Sequence, residues 1–74
     1  MTISNFRWRK ATDINRDYAT FELLLDEQIA VTLGFNDDGI LELELGDGAI
    51  SHNFVLSEFE TLIADGVRLA EADR

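Results

Sequence analysis

The chain contains no cysteine and no proline in its 74 residues. Without cysteine there is no disulfide staple and no thiol chemistry. Without proline nothing in the sequence forbids a strand ladder at any position. No apolar run approaches the ~20 residues that span a bilayer. The opening residues MTISNFRWRK carry no apolar stretch behind their basic residues, so no signal peptide is expected and a cytoplasmic, membrane-free protein is the expectation. There is a single histidine, His52. Most unusual is the shortage of positive charge: from Asp17 to Val67 there is no lysine or arginine at all.

What is present fits one small globular domain, residues 1–74, since hydrophobic residues make up 46% and charged residues 28%. A core of this size is marginal unless a metal, a staple or a partner supports it. The charge falls into three blocks. The first sixteen residues carry Arg7, Arg9, Lys10 and Arg16 against Asp13, a basic N-terminal strand or arm. The next fifty-one carry twelve acids and no cation, and the last seven balance to zero, which accounts for the net charge of −9. Such a balance serves solubility, or it prepares a surface for a basic partner.

Hydrophobic period places the elements. Phe6 and Trp8 alternate with Arg7 and Arg9, which predicts a first strand near residues 3 to 10; residues 11 to 17 read as a loop. This strand either joins the sheet beside the Phe21 strand or forms an arm that pairs with another chain. Period two then recurs in four blocks within residues 18–55, around Phe21, Val31, Leu43 and His52, with short polar breaks. Register tests the pairing, because apolar residues must face apolar residues. A loop Asp26-Glu27-Gln28 pairs Leu25 with Ile29, Leu23 with Val31 and Phe21 with Leu33. A loop Asp37-Asp38-Gly39, ending in the residue favoured at positive φ, pairs Phe35 with Leu41, Leu33 with Leu43 and Val31 with Leu45. A loop from Gly46 to Ala49 pairs Leu45 with Ile50, Leu43 with His52 and Leu41 with Phe54. The opposite face carries the rows Glu22–Thr32–Glu44–Ser51 and Thr20–Gly34–Glu42–Asn53.

After Leu56 the period becomes helical over residues 57–73. Ser57 with Glu60 reads as a capping box, and Phe59, Leu62, Ile63, Gly66, Val67 and Ala70 form one stripe. A helix from Glu58 to about Ala72 is expected, with Gly66 marking a close approach to the sheet or a kink. The fold class is therefore α+β: an antiparallel β-meander of four to five strands with one C-terminal α-helix packed on one face. The expected core is Phe21, Leu23, Val31, Leu33, Leu43, Phe54, Phe59, Leu62 and Ile63.

The carboxylates of NDDGILELELGDG invite a chemical reading. As a calcium loop with Gly39 sixth, the segment would need carboxylates at Gly34 and Leu45, and both are absent; Asp37 and Asp38 are turn formers. Glu22 and Glu44, flanking Thr32 across two strand spacings, would stand roughly 9 to 10 Å apart, near the upper limit for an inverting glycosidase pair. An exposed pair on a bare sheet, however, has no desolvation to raise a pKa and no cleft. His52 falls by parity on the apolar face between Ile50 and Phe54, as a histidine partly buried at the sheet margin. Ser4, Ser51 and Ser57 have no nucleophile motif, and GDG lies between strands, so it is a turn. No catalytic residue, cofactor or metal is assigned, and a non-enzyme is expected.

The element order resembles that of single-strand-binding coactivators of the Whirly kind, which implies a shared topology. Phe6, Arg7, Trp8 and Arg9 even interleave aromatic and basic residues. A sheet face carrying Glu22, Glu42 and Glu44 nonetheless repels phosphate, so no direct nucleic-acid binding is expected. Two readings remain. One is an acidic protein-binding module, an inhibitor or immunity-type protein that masks a basic site on its partner through Glu22, Glu42 and Glu44, with Asp37 and Asp38 beside them. The other is a self-associating structural or accessory domain, a homodimer using Tyr18, Leu24, Ala30, Ile40 and Val55.

Overall fold

The computed structural model describes residues 5–50 and 52–74. Four strands, β1 (Phe6–Ala11), β2 (Thr20–Leu25), β3 (Gln28–Phe35) and β4 (Leu41–Leu45), form one antiparallel sheet in the order β1-β2-β3-β4. A 3-10 turn at Asp47–Ala49 follows, then one helix, α1 (Leu56–Asp73). The meander with a C-terminal helix is the architecture that the hydrophobic period dictates. β1 takes the edge beside β2, pairing Trp8 with Leu23 and Arg9 with Glu22. Ile3 and Ser4, at the expected start of that strand, and Ser51, at the end of one outer row, lie outside the described residues.

The β2–β3 connection is tighter than the expected three-residue loop. Leu25 pairs with Gln28, leaving Asp26 and Glu27 as a two-residue turn with φ of 50° and 69°. Both angles are positive, as a hairpin turn matched to strand twist requires, although glutamate adopts them reluctantly. β1 and the residue before it restrain the turn: Asn5 Nδ2 donates to Asp26 Oδ1 at 2.7 Å, and Arg7 donates to Glu27 at 2.7 Å. A bulge then absorbs one residue. Leu24 faces Ile29 while Leu23 faces Val31, so Ala30 is the extra residue in β3. Beyond it the expected pairs Leu23–Val31 and Phe21–Leu33 hold, as do all three expected β3–β4 pairs.

The expected pairs Leu45–Ile50, Leu43–His52 and Leu41–Phe54 do not form. Gly46 and Gly48 explain why. A Cβ on Gly46 would stand 2.4 Å from the Ile29 carbonyl oxygen, and one on Gly48 would stand 3.0 Å from that of Gln28. The bare backbone can therefore fold inward against the start of β3 and turn away from β4, instead of running back along it. The chain crosses beneath the sheet to β1, where Phe54 stacks on Phe6 at 5.6 Å and His52 meets the Phe6 ring edge-on at 5.7 Å. His52 is exposed, not half-buried at a sheet margin.

Helix α1 begins two residues before the expected start. Val55 occupies the cap position without a side-chain hydrogen bond, and Phe59 N donates to Val55 O at 2.9 Å. Ser57 is thus inside the first turn, and the capping box is not made. Ser57 instead offers its carbonyl to the Thr61 hydroxyl at 3.1 Å. The helix lies over β2 and β3. It comes close to the sheet at Gly66, where an added Cβ would come within 2.4 Å of the Trp8 ring. Trp8 Nε1 donates to the Leu62 carbonyl at 3.1 Å, so its one polar atom is satisfied while the ring is packed.

The buried core is Phe21, Leu23, Leu24, Ala30, Val31, Leu33, Phe35 and Ala70. Each fully buried Leu or Val contributes about 1.5–3 kcal/mol relative to exposure. Phe54, Phe59, Leu62 and Ile63 are half-buried against it, as is Trp8. Leu43, expected in the core, is 44% exposed, because the helix stops short of β4. Leu24 and Ala30, expected at an outer dimer surface, are buried, and Tyr18 packs edge-on against Phe35. Of that set only Ile40 and Val55 are exposed.

Candidate protein-docking surface

The five acids singled out from the sequence separate into two groups once placed. Glu22 is on β2, opposite Arg9 of β1. Arg9 donates to its carboxylate from Nε at 3.0 Å and from Nη2 at 2.5 Å, and the Glu22 side chain is only 15% exposed. Its charge is answered within the sheet. The residual Glu22–Thr32–Glu44 row exists, but its two carboxylates are unequal: one is neutralised and covered, and the other is free in solvent.

Glu42 and Glu44 stand on β4, exposed, on the face opposite the helix. Among the described residues neither enters an ion pair. Asp37 and Asp38 cap the preceding turn. Asn36 builds that turn by accepting at its side-chain oxygen from Asp38 N at 2.9 Å and Ile40 N at 3.0 Å. Gly39 takes a φ of 77° there, the conformation for which glycine is suited. The four free acids therefore follow one another along one strand and its entry turn, on rigid backbone.

A hollow of about 310 Å³ lies between Glu42 and Glu44 and the loop before β2, lined by Arg16, Thr20, Thr32 and Gly34 as well. Arg16 crosses to this side and donates to the Phe35 carbonyl at 3.0 Å, which puts a cation at the margin of the acidic strand. Sequence reasoning grouped Arg16 with the basic arm. The only signal for its placement is that it is the last cation before the cation-free stretch, directly ahead of β2.

β4 is an edge strand. Gly46 N donates to Ala30 O and Asn36 N donates to Ile40 O, each at 2.8 Å. Antiparallel pairs alternate between bonded and non-bonded. Glu42 and Glu44 share the bonded parity, so the N–H and C=O groups of Leu41, Leu43 and Leu45 point away from the sheet. On the helix side Leu43 is 44% and Leu45 65% exposed. An open apolar cavity of about 280 Å³ adjoins them, lined by Leu45, Ala49, Phe54, Leu56 and Phe59. Pattern alone missed this apolar margin, because it assumed a fifth strand would cover it.

No protein-family model, curated protein or solved structure matches the chain. Among the described residues no group of three His, Cys, Asp or Glu side chains is close enough to hold a metal ion, and no helix is long and apolar enough to cross a membrane. What the surface presents is exposed negative charge on Glu42 and Glu44 beside a strand edge.

Proposed function

We propose that the domain is a non-catalytic acidic protein-binding module of the inhibitor or immunity type, which masks a basic site on a protein partner. The observation that carries this reading is the separation of the acids. Glu22, Glu27 and Asp73 are bonded to Arg9, Arg7 and Lys10 within the fold, while Glu42, Glu44, Asp37 and Asp38, on a hydrogen-bonded strand and turn, enter no ion pair among the described residues. Little side-chain and loop entropy is lost when such groups meet a cationic surface. Their field speeds association in a manner that weakens with salt.

The test compares three baits in cell extract at low salt: wild type, Glu42→Lys with Glu44→Lys, and Glu60→Lys with Glu71→Lys. The two double variants change net charge equally, and Glu60 and Glu71 are exposed on the helix. Basic proteins held by the wild type and by the helix variant, lost from the β4 variant and released by salt, support the reading. Equal capture by all three baits makes the acids a solubility feature and overturns it.

A further inference from the structure

The free side of β4 presents three features on the same five residues. Among the described residues, the outward backbone groups of Leu41, Leu43 and Leu45 have no strand partner. The side chains of Leu43 and Leu45 form an apolar margin that α1 leaves open, while Leu41 packs against the core. Glu42 and Glu44 alternate with them on the opposite face. A segment that satisfied all three would be extended, would present apolar residues on one face, and would carry Lys or Arg on the other.

The opposite edge of the same sheet shows how this domain holds such a segment. β1, FRWRKA, is basic and alternating. Phe6 and Trp8 pack on the helix side, where they join the core cluster. Arg7 and Arg9 lie on the outer side and bond Glu27 and Glu22. At β4 the carboxylates and the apolar margin are both in place, and among the described residues no such strand covers them.

The geometry points to β4 as a strand-addition site, at which a partner's extended segment of alternating apolar and basic residues adds a fifth strand to the sheet. This rests on the acidic-surface reading and specifies its partner. Main-chain hydrogen bonds to Leu41, Leu43 and Leu45 supply affinity, and alternate side chains supply specificity. The cations meet Glu42 and Glu44 as cross-strand pairs. The apolar side chains cover Leu43 and Leu45 and reach the cavity beside Leu56 and Phe59. A second copy fits this edge poorly. Two-fold pairing of β4 with itself centred on Leu43 sets Glu42 opposite Glu44, and like charges directly opposed destabilise a sheet. The arginines at another copy's β1 edge are already bonded inside their own sheet.

The test uses two synthetic peptides of identical composition. One is V-K-V-K-V-K-V; the other, K-K-K-V-V-V-V, has its lysines contiguous. Each is titrated into the isotope-labelled protein with amide exchange followed by NMR. The alternating peptide is expected to slow exchange at Leu43 and Leu45, and to bind about tenfold tighter than the block peptide, a margin that a few cross-strand pairs supply. Glu42→Lys with Glu44→Lys is expected to abolish the difference. Equal binding of the two peptides, without protection at β4, overturns strand addition and leaves the acidic surface standing. Binding of neither also overturns it, and the bait comparison then decides the acidic surface separately. Protection at Leu43 and Leu45 that grows with protein concentration alone assigns the edge to a second copy and overturns the proposal.

Discussion

Replacing Gly66 by alanine tests the packing that closes the domain. In an exposed helix interior this change stabilises by about 1 kcal/mol, because glycine loses the most backbone entropy on folding. Here the sign should reverse. The new Cβ would lie 2.4 Å from Trp8 Cζ2 and 2.5 Å from Cη2. The indole cannot swing aside cheaply, since it is rigid, packed in the core and bonded to the Leu62 carbonyl. Overpacking of this kind costs about 1–3 kcal/mol, and displacing the indole N–H forfeits a bond worth about 1 kcal/mol. Set against the helix gain of about 1 kcal/mol, the net loss is about 1–3 kcal/mol. For a domain of this length, total stability is on the order of 4–11 kcal/mol, so the shift is large. Urea unfolding followed by circular dichroism measures it. Trp8 is the sole tryptophan, so its emission reports the same site. The decisive control is Trp8→Leu, which removes the far edge of the ring. In that background Gly66→Ala should be neutral or stabilising, with a coupling inside the 0.5–3 kcal/mol usual for residues in contact. If Gly66→Ala stabilises the wild type by about 1 kcal/mol, as at an uncrowded helix site, Trp8 does not rest on the helix and the packing argument fails.

Leu33→Ala should cost about 2–5 kcal/mol in the same assay, while Leu43→Ala should cost under about 1 kcal/mol, because only the first side chain is buried; equal losses would contradict the exposed β4 margin. Ser57→Ala should change stability by less than about 0.5 kcal/mol, against about 1 kcal/mol for a true cap residue, since Ser57 lies inside the helix; a full cap-sized loss would restore the capping box. The Arg7 guanidinium holds the Glu27 carboxyl below its ordinary range, through its hydrogen bond first and its charge second. The pair's contribution is therefore present at neutral pH and fades as pH falls through that depressed value. Arg7→Gln should move the Glu27 midpoint upward in a side-chain NMR titration, and an unmoved midpoint would mean that the pair is not formed in solution.

Local chemistry determined most of the scaffold. Period two, read against the demand that leucine face leucine, is enough to pair β3 with β4 through all three expected pairs, because a one-residue slip would reverse every side chain. The switch to helical period after Leu56 and the glycine facing the sheet are equally legible, since both express one-dimensional spacing. Glu42, Glu44, Asp37 and Asp38 were legible as exposed acids for the same reason. What spacing cannot carry is which neighbour a residue meets across the fold. Only the placement of β1 beside β2 gave Glu22 to Arg9 and so removed it from the free acids. Asp26 and Glu27 entered a strained two-residue turn in which Asn5 and Arg7, at the start of β1, supply their partners, and the bulge at Ala30 repairs a register that local pattern had read as regular. The residues around His52 alternate as a strand would. Yet Gly46 and Gly48, pressed against the carbonyls of Gln28 and Ile29, turn the chain away before it can pair. Sequence thus decided that β4 would be amphipathic. Tertiary packing decided that its outer edge would be left open, because the segment able to cover it is drawn beneath the sheet by contacts with Phe6.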